Sequence, residues 1–206
     1  MFRIKATDLS KKFNERLIFK NVGFEMQSGQ SLVVTGQNGS GKTTLMRIIS
    51  GLLSPSEGRL TFFKDNREIE SEQIFNHIGL VGPYLQLYNN LTALENLAFF
   101  SKIRGLGMNR SKILELTKQV GLEGREVDYV KNYSSGMIQR LKFVFALIHE
   151  PPILLVDEPT SNLDEKGMEI VYGLLTKQME NRILIVATNN PEENRFGQTN
   201  VHVGLQ

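Results

Sequence analysis

Residues 36–43, GQNGSGKT, fit the pattern G-x-x-x-x-G-K-S/T, with Gly36, Gly41, Lys42 and Thr43 in the fixed places. A loop of this kind wraps a phosphate chain in backbone N–H groups, and its glycines turn inward where a Cβ would clash. Asn38, Gly39, Ser40 and Thr44 complete the stretch. Lys42 is placed to reach β- and γ-phosphates, and the Thr43 hydroxyl to sit on Mg²⁺. Ahead of the loop, Leu32, Val33 and Val34 form a short apolar run of strand type. Behind it, Leu45, Ile48, Ile49 and Leu52 recur at helical spacing, so a helix would aim the positive end of its dipole at the same anion.

A second constellation stands at the end of another apolar run, Ile153–Val156, which closes on Asp157 and Glu158. At the carboxyl end of a parallel strand, an Asp beside such a loop can hold Mg²⁺ directly or through water. A neighbouring Glu can orient and deprotonate an attacking water. Two acids also open many ordinary loops; the pairing with residues 36–43 favours the metal and water roles. A third piece is Tyr133–Met137, YSSGM, where serine and glycine at a helix start offer a hydroxyl and N–H groups to an anion. A plain Ser N-cap has the same letters.

The chain has 206 residues, 40% hydrophobic and 22% charged, enough for one core with an inserted subdomain. A net charge of +2 gives no reason to expect a nucleic-acid partner. The lack of cysteine excludes disulfides and thiolate metal sites. No apolar run approaches the roughly 20 residues that span a bilayer, so a soluble chain is expected, with any membrane span supplied by another polypeptide.

The elements that would position these residues follow from periodicity. Residues 2–6 and 22–26 alternate as half-buried antiparallel strands do, and the polar stretch between them, holding Phe13, reads as a loop. Arg59–Phe63 and Ile78–Val81 read as further strands. From Gly82 to about His149 the pattern turns helical. Thr92 and Glu95 form a capping box, Ile113, Leu116 and Val120 mark a second helix, and Leu141, Val144, Phe145 and Ile148 a third. Ile153–Val156 and Ile183–Ala187 are continuous apolar runs, as in strands buried on both faces of a parallel sheet. A helix with Ile170, Val171, Leu174 and Leu175 joins them. The expected class is α/β: a P-loop NTPase (RecA-like) parallel-sheet core at 1–81 and 150–206, with an antiparallel β subdomain and a helical subdomain at 82–149, in one domain over 1–206.

The segments GQNGSGKTT (36–44), YSSGMIQR (133–140), ILLVDEPT (153–160) and SNLD (161–164), in this order, resemble the ATPase subunit of an ATP-binding-cassette (ABC) transporter over essentially the whole chain. The resemblance implies ATP and Mg²⁺, hydrolysis, and an integral membrane permease as partner, with this chain cytoplasmic and peripheral on the inner face of the cell membrane. It implies that Phe13 stacks on adenine, and that Ser134 and Gly136 contact the γ-phosphate of ATP bound to a second ATPase subunit. Asp164 would lie in the loop linking the two sites of a head-to-tail homo- or heterodimer. Leu91–Phe100 and the short chain are similar to the haem-exporter ATPase of cytochrome c maturation.

Three departures matter. Tyr133, Ser135 and Met137 replace the usual Leu, Gly and Gln of the signature, while Ser134 and Gly136 remain. The glutamine usual after the Ile78–Val81 strand is out of register: Pro83 or Tyr84 stands there, and Gln86 is the nearest candidate for its metal role. Asn189 stands where the family carries a histidine on the γ-phosphate; its neutral amide keeps a donor, so ATP binding with slow hydrolysis is expected. The competing readings are a soluble non-transport cassette ATPase and a weakly hydrolysing regulatory nucleotide-binding module. A plain P-loop kinase would explain neither YSSGM nor SNLD.

Overall fold

The structure, a computed structural model, describes residues 1–107 and 109–204. In chain order, β1 (Phe2–Phe13) and β2 (Arg16–Gln27) form a hairpin, and β3 (Ser31–Thr35) leads through the glycine loop into α1 (Lys42–Ile49). β4 (Glu57–Lys64) and β5 (Arg67–Glu68) make a second hairpin, turning at Asp65 and Asn66, both with left-handed φ. β6 (Ile78–Val81) is followed by α2 (Ala93–Ile103), α3 (Arg110–Gln119) and α4 (Ser135–Leu147). β7 (Ile153–Asp157), α5 (Glu165–Met179), β8 (Ile183–Ala187) and β9 (Thr199–His202) complete the chain.

Five parallel strands lie in the order β6-β7-β8-β3-β9, and an antiparallel sheet has the order β2-β1-β4-β5. Because parallel strands end on one edge, the loop after β3 and the acids after β7 open together, with only β8 between them. The two-residue period of the central strands divides the core. Val33, Leu154, Val156, Leu184 and Val186 join one buried cluster with α4, α5 and the helices between β6 and β7. Leu32, Val34, Ile153, Leu155, Ile183 and Ile185 join the other, with α1 and the antiparallel sheet. Continuous apolar runs are what burial on both faces requires.

The expected loop around Phe13 is not there. β1 and β2 stay paired to Phe13 and Arg16, and only Asn14 and Glu15 turn. Register shifts between Ala6 and Leu9, Leu9 and Lys11, and Lys11 and Lys12 break the alternation that marks a strand in sequence. The shifts also bury Ser10, whose hydroxyl accepts from the Asn21 N–H at 3.2 Å. Among the described residues between Gly82 and His149 the regular elements are helices, with one isolated bridge, Thr92 to Tyr129. The capping box forms: Glu95 N–H donates to the Thr92 hydroxyl at 3.1 Å and Thr92 N–H to Glu95 Oε2 at 2.8 Å. Such a cap is worth about 1 kcal/mol to α2.

Candidate functional site

The glycine loop is shaped by where no side chain fits. Gly36 has φ 148°, and a Cβ there would lie 2.2 Å from the Val203 carbonyl oxygen and 2.5 Å from Ser40 Oγ. Lys42, 6% exposed at the start of α1, turns its ammonium back into the loop. Nζ donates to the carbonyls of Gly36 (2.9 Å) and Gln37 (3.2 Å) and to Asn189 Oδ1 (2.6 Å). The Asn189 amide in turn donates to Asn38 Oδ1. Asn189 therefore spans the loop from β8's far end, joining residues about 150 positions apart in sequence.

Asp157 ends β7, is 1% exposed, and neither of its carboxylate oxygens has a full hydrogen bond. Burial raises its pKa, opposed by the Thr43 hydroxyl beside it and by the charges of Lys42 and Arg47. Glu158 follows with a left-handed φ of 55°, a conformation costing a non-glycine residue about 1 kcal/mol or more. Its backbone is held in place: Glu158 N–H donates to Ala187 O at 2.9 Å, Ser161 N–H donates to Glu158 O at 3.3 Å, and the buried Gln139 amide donates to the carbonyls of Glu158 (3.2 Å) and Pro159 (3.1 Å). The Glu158 pKa is also raised, chiefly by burial and further by Asp157 and Glu193, against Lys42 and the Asn189 backbone amide. The structure thus brings Lys42, Thr43, Asp157, Glu158 and Asn189 to one edge of the sheet: a cation, a hydroxyl, a carboxylate lacking partners, and a second carboxylate shifted toward the range of a general base.

A cleft of about 370 Å³ adjoins the loop, where Arg16, Leu17 and Ile18 of β2 face Asn38–Ser40 and His202. A roomier cavity of about 580 Å³ lies elsewhere, around Lys112, Glu150 and Arg182 near the ends of α3 and α5, with none of these groups in its walls. Chemistry, not volume, marks the site.

The chain matches a family model described as ABC transporter over residues 19–161, well over half its length. It belongs to the ABC transporter family. The ABC assignment is supported by an uncharacterized ABC transporter ATP-binding protein, YybJ of Bacillus subtilis, 34% identical over 92% of this chain and 86% of that protein. The cytochrome c biogenesis ATP-binding export protein CcmA of Vibrio vulnificus is 28% identical over 92% of each. A dimeric structure of the ATP-binding cassette MJ0796 in a post-hydrolysis state, bound to ADP and Pi, superposes with a TM-score of 0.85 at 30% identity, covering 98% of this chain and 94% of that one. The chain is an ATP-binding subunit with the ABC ATPase fold. Resemblance to the haem exporter is one among several of similar depth and does not single out a cargo.

The other ABC motif residues lie apart from the loop. Ser134 is exposed and caps α4, its hydroxyl accepting from Met137 N–H at 3.2 Å. A Cβ on Gly136 would lie 2.9 Å from the Asn162 carbonyl, so the SNLD loop packs onto the signature turn of its own chain. Asp164 caps α5 through a 2.8 Å bond from Gly167 N–H. Among the described residues, no hydrogen bond joins Ser134 or Gly136 to residues 36–44. Phe13 stands at the hairpin tip, 46% exposed with Lys11 over its ring. Gln86 is exposed and bonds to no described residue, whereas Tyr84 folds back over Gly82 with its hydroxyl buried. Sequence reading passed over Gln139, which props the Glu158 turn from the signature helix, and Glu193, 1% exposed, which accepts from Thr160 Oγ1 at 2.6 Å. Gln139 lies within the YSSGMIQR segment but past the serine and glycine that point to an anion, and Glu193 lies in no motif.

Proposed function

We propose that this chain binds Mg²⁺-ATP between its 36–44 loop and the Ser134–Gly136 turn of a second ATPase subunit, and that hydrolysis drives a separate membrane permease. The observation that carries it is the Asp157 carboxylate, buried without a full hydrogen bond beside Thr43 and Lys42 at the mouth of a glycine loop. An ion that prefers oxygen ligands and keeps several waters suits that pair. Bound Mg²⁺ would neutralise charge on the phosphates. Thr43 and Asp157 would hold it, the loop N–H groups and Lys42 would cradle the phosphates, and Glu158 would take the proton of the attacking water. Asn189, whose amide is bonded to Lys42 and Asn38, would have one remaining N–H for the γ-phosphate region. Phe13 and the cleft at Arg16–Ile18 would take the base and ribose, and Asp164 would fix the loop that faces the second subunit.

No described helix is long and apolar enough to cross a membrane. What supports a permease is an exposed aromatic patch on residues 82–149. Tyr88 (52% exposed) and Phe99 (41% exposed) meet edge-to-face at 5.3 Å, and Phe99, Phe100 and Phe145 continue the stack into α4. Buried Asn96 pins Tyr88 from both sides, accepting from its N–H (2.8 Å) and donating to its carbonyl (3.0 Å). A permease seated there on the inner face of the membrane would push on α4, the helix that carries Ser134. The test is paired: Lys42→Ala should abolish ATP turnover, and Tyr88→Ala with Phe99→Ala should release a co-purifying membrane protein while turnover persists. A double variant that keeps its membrane partner contradicts the docking half; a Lys42→Ala variant with parental turnover contradicts the ATPase half.

A further inference from the structure

Tyr84 follows β6 and folds back over Gly82: a Cβ on Gly82 would lie 2.8 Å from the tyrosine Cζ and 3.1 Å from its hydroxyl oxygen. Val81 pairs with Val156 in parallel register, which sets Gly82 beside Asp157. From the α1 side, the Arg47 guanidinium carbon lies 4.9 Å from the centroid of the tyrosine ring. The ring is thus held between the end of β6 and Arg47, which lies four residues along α1 from Thr43. The hydroxyl is buried and makes no hydrogen bond. Two polar groups, the phenol and the Asp157 carboxylate, are therefore buried without partners in the same corner of the site, and each carries a desolvation cost until something bonds to it.

We propose that the Tyr84 hydroxyl is a positioning group of the nucleotide site, donating a hydrogen bond to a water ligand of the divalent cation held by Asp157 and Thr43. This rests on the Mg²⁺-ATP reading above. The phosphates already have Lys42 and the loop N–H groups, so an outer donor on the Asp157 side meets the water that such a cation retains. The group is a phenol, longer and stiffer than an amide, and it reaches the corner from a ring locked under Arg47, where exposed Gln86 does not.

The test uses the full chain with AMP-PNP and Mn²⁺ as the spectroscopic cation, followed by electron paramagnetic resonance. Tyr84→Phe keeps the ring and removes only the donor; it is expected to weaken nucleotide-dependent Mn²⁺ binding about tenfold. AMP-PNP affinity in EDTA stays at the parental value. Tyr84→Gln, which returns a donor of a different shape, recovers most of the Mn²⁺ affinity. A Tyr84→Phe protein with parental Mn²⁺ affinity overturns the Tyr84 assignment and leaves the nucleotide reading standing. A parent that takes up no Mn²⁺ with AMP-PNP overturns both. Should Tyr84→Phe fail to fold, a Tyr84→Gln protein with Mn²⁺ binding about tenfold weaker than the parent overturns the donor role.

Discussion

Lys42 and Ser134 are both proposed to meet a phosphate, yet the chain treats them differently. Lys42 is buried, with three acceptors from two distant segments already bonded to it. Ser134 is exposed, and among the described residues its hydroxyl bonds only as the N-cap of α4. The proposed site is organised within a single chain on the Lys42 side and displayed outward on the Ser134 side, where the SNLD loop packs against Gly136. A preorganised half and a presented half are what a ligand shared between two copies needs, because neither closes on the ligand alone.

The largest effect that sharpens this contrast is on Glu158. Glu158→Gln should keep ATP binding, cut turnover by about 10²–10⁴, the range of a lost general base, and leave an ATP-bound dimer visible by sizing. Wild-type turnover in that variant would remove Glu158 from the organised half. Next in size is Asn189. Its amide is committed to Lys42 and Asn38, which is good for holding the loop and poor for serving a transition state. Asn189→His is expected to raise turnover by up to about 10², since one well-placed donor is typically worth 10²–10³; an unchanged or lower rate in a steady-state assay contradicts that. On the presented half, Ser134→Ala should leave monomer ATP affinity unchanged and weaken ATP-dependent dimerisation by about 10² or more, since each two-site dimer loses two hydrogen bonds to a charged group. Equilibrium sedimentation with and without ATP separates the two.

The smallest effect lies in the packing that joins residues 82–149 to the sheet. His149 is held at a pKa of about 4, below its ordinary 6.5, by burial first and then by the charge of Arg104, which donates to its Nε2 at 3.1 Å. Between those pH values the unfolded chain takes up a proton that the folded chain refuses. Stability is therefore fully present above about pH 6.5 and falls as pH drops toward 4, by roughly 2–3 kcal/mol after solvent screening. Asp157 and Glu158, whose pKa values are raised, act in the opposite sense, so the difference between the parent and His149→Gln isolates the histidine. Denaturant melts of both at pH 7 and pH 4.5 should converge as the pH falls; a constant gap contradicts the assignment.

How much of this was legible in the sequence depends on whether a signal is local. The loop at 36–44, the twin runs at 153–156 and 183–187, and the Thr92 capping box each declare themselves within ten residues, and each forms. β1 past Ala6 did not, because register shifts scramble its alternation and bury a serine. β9 is four residues long with Val201 as its one apolar member, too little for a periodic signal. At the site, the motif residues were readable but their bonding was not. The Lys42–Asn189–Asn38 chain crosses about 150 positions, and Tyr84 gains its place only when β6 lies against β7. Contacts of that kind are made by strand order, which no local pattern states.

On the proposed reading, one nucleotide is held by Lys42 of one copy and Ser134 of another. In a Glu158→Gln background, Lys42→Ala and Ser134→Arg proteins should each stay monomeric with ATP and Mg²⁺. Mixed, they should form a dimer carrying a single ATP, because only the mixed pair contains one site with both residues intact. A mixture that remains monomeric, or either variant dimerising alone, contradicts the account.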